Sequence, residues 1–123
     1  MARIGRGRPT RAIALRRLSD NVPFYPWINR TADTIARNGS TGFTCLFAPA
    51  TSGNFLIAIA GGGVTLTTPS GWTLHQSAVS NDGLYVWTKT ASASESSFST
   101  TANASNYPIN YLVFEFIAGS ALV

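Results

Sequence analysis

From residue 42 to residue 117 the sequence repeats one pattern of short apolar runs separated by turn-forming residues. The runs are rich in β-branched and aromatic residues, which favour strands, and Gly, Pro, Asn and Asp stand between them. This pattern predicts an all-β fold, an antiparallel β-sandwich of jelly-roll or immunoglobulin-like type. The expected strands are residues 43–47, 55–60, 64–67, 72–77, 84–90, 97–101 and 109–117.

Alternation within these runs indicates which side chains share a face of a sheet. The run 55–60 is apolar on both faces and is expected to be a central, buried strand. In the last run, Leu112, Phe114 and Phe116 share one face. Glu115 lies on the opposite face, so we expect its carboxylate to point to solvent or to an interface.

The basic charge of the chain is concentrated at its N-terminal end. The net charge is +4, yet residues 1–17 hold six arginines and no acidic residue. From residue 18 onward, three basic residues stand against five acidic ones. We therefore predict an extended basic arm over residues 1–20 that contacts an anionic or acceptor-rich partner. The candidate contact residues are Arg6, Arg8, Arg11, Arg16 and Arg17.

Two functions are open to this arm. The core Arg6-Gly7-Arg8-Pro9 has the form of an AT-hook, whose arginines enter an A·T-rich minor groove. The motif occurs once, however, and the slightly acidic remainder of the chain offers no second basic patch for phosphate contacts. Arginines between glycine hinges also suit an arm lying across neighbouring subunits, where guanidinium groups bind carboxylates bidentately. We favour assembly, with DNA binding as the alternative.

Residues 21–41 are predicted to be an irregular segment between the arm and a sandwich domain at 42–123. Three aromatic residues lie among the prolines of 23–28, a composition too apolar for a solvated linker. We expect this segment to dock on its own domain or on a neighbour through Phe24, Tyr25, Trp27 and Ile28. Because the chain ends soon after its last strand, we also expect a neighbouring subunit or further sequence to complete the sandwich.

Catalytic and metal-binding patterns are weak. His75 is the one histidine, and no carboxylate or nucleophile stands at a spacing that indicates a triad. The glycines at 61–63 lack the Lys-Ser/Thr of a phosphate-binding loop. Cys45 is a single cysteine in an apolar strand, so we expect a core residue and no disulfide. The prediction is a non-enzymatic protein without cofactor or metal. It is made in a cytoplasm, with neither signal peptide nor membrane insertion.

The aromatic residues at strand positions admit two interpretations. Trp72, Tyr85 and Trp87 would form a platform on which the rings of a bound glycan stack, if they share an exposed face. Aromatic residues at strand spacing more commonly fill cores and interfaces. We favour the core or interface interpretation and keep the glycan platform as the alternative.

Four stretches, SGNFLIAIAGGG, TTPSGWTLHQS, GLYVWTKTASASESSFSTT and INYLVFEFIAG, resemble a β-sandwich module of tail and other virion proteins of bacteriophages. The resemblance covers just over half of the chain. The matching positions are Gly53, Leu56, Pro69, Ser70, Gly71, Trp72, Thr73, Leu84, Tyr85, Lys89, Ala91, Glu95 and Gly119. The opening GRGRP is similar to the start of minor tail proteins of actinobacterial phages. Unlike the family, which continues into further strands, this sequence ends shortly after Gly119.

The resemblance implies a virion structural protein, present in several copies, with no catalytic residues. The tail is the expected location, as a minor tail or tail-tip component. A capsid decoration protein and a glycan-binding adsorption module are the alternatives. The implied partners are other virion proteins and copies of the chain itself, with a host surface glycan as a further candidate.

Overall fold

The computed structural model describes residues 28–37, 39–78 and 83–121, which contain seven antiparallel strands and no helix. The strands are β1 (Asn29–Ile35), β2 (Gly42–Leu46), β3 (Phe55–Gly61), β4 (Thr73–Ala78), β5 (Leu84–Thr90), β6 (Ser97–Thr101) and β7 (Ile109–Phe116). The large sheet has the order β1-β7-β3-β5-β4, and β2 pairs with β6 in a small sheet. The predicted all-β sandwich class is confirmed; the predicted arm lies outside the described residues. This part of the chain holds no helix able to cross a bilayer.

The central strand of the large sheet is β3, as its apolar sequence predicted. It pairs with β5 on one side and β7 on the other, so that Ala58 lies between Trp87 and Val113. Because residues directly opposite each other in neighbouring strands project from the same face, these three share the face that is turned towards the small sheet. We call this face the inner face and the opposite one the outer face. Phe55, Ile57 and Ile59 belong to the outer face.

The core fills the space between the inner face and the small sheet. Leu56, Trp87 and Cys45 are fully buried. The ring of Phe98, from the small sheet, lies 5.2 Å from the ring of Trp72 and meets Trp87 edge to face at 5.7 Å. Aromatic pairs of this geometry contribute about 0.5–1.5 kcal/mol beyond the area they bury. The two sheets are therefore joined chiefly by interlocking rings.

The first strand was not predicted. Residues 21–41 were expected to be irregular, but β1 pairs with β7 along its whole length, from Asn29 opposite Glu115 to Ile35 opposite Ile109. The sequence NRTADTI has no apolar alternation because β1 is an edge strand whose side chains are mostly exposed. Its backbone bonds to β7 hold it in place, and these leave no local signal in the sequence.

The run 64–67 was predicted to be a strand and is not one. Its pairing is limited to a single bridge between Leu66 and Ala102. The N–H of Thr65 donates to the side-chain oxygen of Asn103 instead of to a backbone carbonyl. A side chain thus takes the place of a ladder partner, and Pro69 prevents the run from lengthening.

We expect Trp87→Ala to lower the free energy of unfolding by about 3–5 kcal/mol, because it empties a large buried site. The matched control is Leu74→Ala on the neighbouring strand, where the side chain is 45% exposed. It should change stability by no more than about 0.5 kcal/mol. Urea denaturation followed by far-ultraviolet circular dichroism measures both. Equal losses in the two variants would contradict this placement of the core.

Candidate functional site

The three aromatic residues considered as a glycan platform lie in the core. Trp72, Tyr85 and Trp87 are 7%, 5% and 0% exposed. Tyr85 stacks on Trp87 with ring centres 5.9 Å apart, and Trp72 meets Phe47 edge to face. A sugar stacks on a ring face that water can reach. The platform hypothesis therefore does not hold for these three side chains, which pack against other core residues.

Most of the predicted assembly residues lie outside the described part of the chain. They are Arg6, Arg8, Arg11, Arg16, Arg17, Phe24, Tyr25 and Trp27. Ile28 is the first residue described, and its side chain is exposed. Its N–H donates to the carbonyl of Glu115 at 2.6 Å, a backbone bond just before the start of β1. The chain therefore enters the sheet beside the end of β7.

Groups suited to catalysis or metal binding do not converge in the described residues. No three His, Cys, Asp or Glu side chains there are placed to hold a metal ion. His75 is exposed on β4. Burial raises the pKa of the Cys45 thiol to about 12, so this thiol stays protonated at neutral pH. Cys45 therefore behaves as the small core residue that its sequence context predicted.

Several residues that carry the phage-module resemblance meet at one end of the sandwich. The Lys89 ammonium forms a 2.8 Å ion pair with Glu95 and lies 6.0 Å from the ring centre of Trp72. A Cβ added at Gly71 would lie 3.4 Å from that ammonium, and the φ of +83° at Gly71 favours glycine. These residues contact one another, so their role is to fix the turn before β4 against the loop after β5.

Glu115 does not point to solvent or to an interface, as was expected. It is 3% exposed on the inner face. Its carboxylate accepts hydrogen bonds from the Asn29 amide at 2.9 Å, the Thr51 N–H at 2.8 Å and the Asn54 amide at 2.6 Å. Burial alone would raise the pKa of Glu115, but the bonds from Thr51, Asn29 and Asn54 outweigh it and the pKa is lowered. The ionised carboxylate thus joins β7 to β1 and to the turn before β3.

We expect Glu115→Gln to lower the free energy of unfolding by about 1–3 kcal/mol, because the new amide turns a donor towards groups that all donate. Since folding lowers the pKa of Glu115 below its ordinary 4.5, the ionised group stabilises the fold above that pH. This contribution is lost as the pH falls through the lowered pKa.

Urea denaturation across about pH 3 to 7 measures this effect. The gap between wild type and Glu115→Gln should narrow towards the acid end. Glu95→Gln, which breaks the partly exposed ion pair with Lys89, is the control and should cost no more than about 1 kcal/mol. A gap that is independent of pH would show that the charge of Glu115 does not contribute.

The outer face of the large sheet carries large apolar side chains that the small sheet does not cover. The half-buried ones are Phe55, Ile57, Ile59, Val86, Leu112, Phe114 and Phe116, and Leu84 is 48% exposed. The apolar strip covers three strands, and strand spacing and residue rise give it a flat area of roughly 300 Å². Contiguous apolar patches of this size often serve binding.

Along β3 the larger side chains lie on the outer face and the smaller ones lie in the core. Small residues, Ala58 and Ala60, occupy the inner face, where the rings of Tyr85 and Trp87 leave little space. The larger Ile57 and Ile59 occupy the outer face. Alternation predicted correctly which residues of β7 share a face. It did not predict which face is covered: the face with Phe114 and Phe116 is the outer one, and the face with Glu115 is the inner one.

At one end the outer face opens into a hollow of about 710 Å³. Its apolar walls come from Ala32, Ile59, Leu84 and Leu112, and the turn at residues 61–63 closes one side. Gly62 has no space for a side chain, because a Cβ there would collide with the carbonyl oxygen of Pro108. Asn110 adds a polar side chain to the lining, whereas Asp33 borders the hollow from β1 with its own side chain on the inner-face side. The hollow and the apolar strip together form the candidate site.

Comparison of this chain with protein-family models, with curated proteins and with solved structures gives no match.

Proposed function

We propose that this chain is a non-enzymatic structural protein of a bacteriophage virion, a minor tail or tail-tip component that binds neighbouring subunits. The observation that carries the proposal is the outer face, where the domain leaves its large aliphatic and aromatic side chains half-exposed. A subunit that buries such a face on assembly gains about 25 cal/mol per Å² of apolar surface. The resemblance of the strand and turn motifs to phage modules supports the virion as the location.

The arm of a neighbouring copy binds along the β1 edge, beside the hollow. Residues 1–17 carry six arginines, and such an arm needs a carboxylate to bind. Asp33 borders the hollow on the β1 edge, is exposed on the inner-face side of that edge, and has no basic partner within the described residues. Glu95 is paired with Lys89, and Glu115 is buried. Of these three acids, Asp33 is the one that offers its charge to a neighbour.

We expect deletion of residues 1–20 to leave the sandwich folded and to abolish incorporation into particles, because the arm provides the contact with the neighbour. Circular dichroism checks the fold. The amount of protein in purified particles, assembled with the truncated copy in place of the full chain, checks incorporation. Normal incorporation of the truncated protein would refute the anchoring role.

Asp33→Asn is a matched variant that keeps the arm and removes the proposed receptor charge. It should reduce incorporation as well, and the reduction should be greatest at low salt, where ion pairs contribute most. Lys89→Gln is the control, since it also removes one charge but lies away from the hollow. Unchanged incorporation of Asp33→Asn would place the arm elsewhere on the neighbour.

Immunogold labelling of intact particles, with antibody against residues 40–123, tests the location. Gold at the tail tip is the expected result and supports the minor tail function. Gold across the head would favour a capsid decoration protein. Absence of gold from all particles, with the protein expressed and its epitope exposed, would contradict the virion proposal and return the arm to DNA binding as its function.

A further inference from the structure

Three phenylalanine rings lie together at the end of the outer face that is remote from the hollow. Phe55 and Phe116 face each other across β3 and β7 with ring centres 6.5 Å apart, and Phe114 lies 6.2 Å from Phe116. All three are half-buried. We call these residues the phenylalanine patch.

The N-terminal part of the chain joins the sheet at this patch. Asn29 pairs with Glu115, and the N–H of Ile28 donates to the Glu115 carbonyl. Since Glu115 is already the partner of Asn29, the regular ladder ends at Asn29 and Ile28 forms a bend. Neighbouring strands are about 4.8 Å apart, so the described part of the chain begins next to the patch, at Ile28.

The sequence before Ile28 cannot continue the ladder for long. Pro26 and Pro23 have no N–H to donate and are confined to edges and ends of strands. Fully extended, residues 23–27 reach at most about 17 Å. The distance from β1 across β7 and β3 to β5 is about 14 Å. A chain that leaves the edge at Ile28 can therefore cross the whole patch.

We propose that the aromatic segment, residues 23–27, docks on the phenylalanine patch of its own chain. The segment supplies three aromatic rings, those of Phe24, Tyr25 and Trp27, and the patch has three. Aromatic rings associate well in offset and edge-to-face geometries. Arg30, exposed on the same face opposite Phe114, provides a cation for contact with a ring of the segment.

The covalent link between residues 23–27 and β1, here called the tether, favours this segment over a second copy as the occupant of the patch. A segment joined directly to the edge of its binding surface has an effective concentration on the order of millimolar. A separate copy competes only when its own concentration approaches that value. The docked segment fixes the base of the arm at the β1 edge and leaves the hollow open. It does so whether or not the protein belongs to a virion.

Trp27 reports the docking in the full-length protein. Trp72 and Trp87 are both buried in the core, so Trp27 is the tryptophan whose exposure depends on the segment. The difference between wild type and Trp27→Phe isolates its fluorescence. We expect blue-shifted emission and weak quenching by acrylamide. Both should be unchanged from about 1 to about 100 μM protein, far below the effective concentration of the tether.

Phe116→Ser removes the ring that contacts both other rings of the patch and should increase the acrylamide quenching constant of Trp27 several-fold. The matched control is Leu46→Ser, which removes an exposed apolar side chain from the small sheet and should leave Trp27 unchanged. Circular dichroism checks the fold of each variant, and Phe114→Ser replaces Phe116→Ser if that variant unfolds. Complete exposure of Trp27 in wild type would overturn the proposal. So would protection that requires high protein concentration, or protection that survives loss of the patch.

Discussion

A buried carboxylate determines where the first strand joins this sandwich. Removing an ionised group from water is costly unless its oxygen atoms are bonded, and Glu115 obtains its bonds from Asn29, Thr51 and Asn54. The bond to Asn29 places β1 on the edge of the large sheet in one register. The same bond fixes the point from which the N-terminal part departs. The proposed positions of the docking segment and of the arm both follow from it.

The strands with strong alternation could be predicted from sequence, and the polar strand could not. Apolar β3 and the alternating β5 and β7 were recognised because burial on at least one face leaves a periodic pattern. By contrast, β1 depends on backbone bonds to β7, and these leave no such pattern. The environment of Glu115 was missed for a related reason, since its amide partners lie 61 and 86 positions away along the chain.

Part of the candidate site was visible in the sequence, and its orientation was not. Alternation placed Leu112, Phe114 and Phe116 on one face, but it is silent about which face the second sheet covers. Which face is covered depends on the volume of the side chains that pack between the two sheets. Trp87 fills the inner side of the sheet, so the small Ala58 fits beside it and larger residues fit only on the outside. The hollow was also beyond sequence analysis, because it requires β1 at the edge and the close approach of Gly62 to Pro108.

The alternation that separates the two faces also separates two kinds of evolutionary constraint. Every second residue of β3, β5 and β7 belongs to the core and is restricted by volume, while the residues between them meet whatever binds outside. Related chains are therefore free to change partner by substitution at the outer positions with the core left intact. Sequence divergence among related chains should alternate with a period of two residues along the central strands, slow at the inner positions and fast at the outer ones.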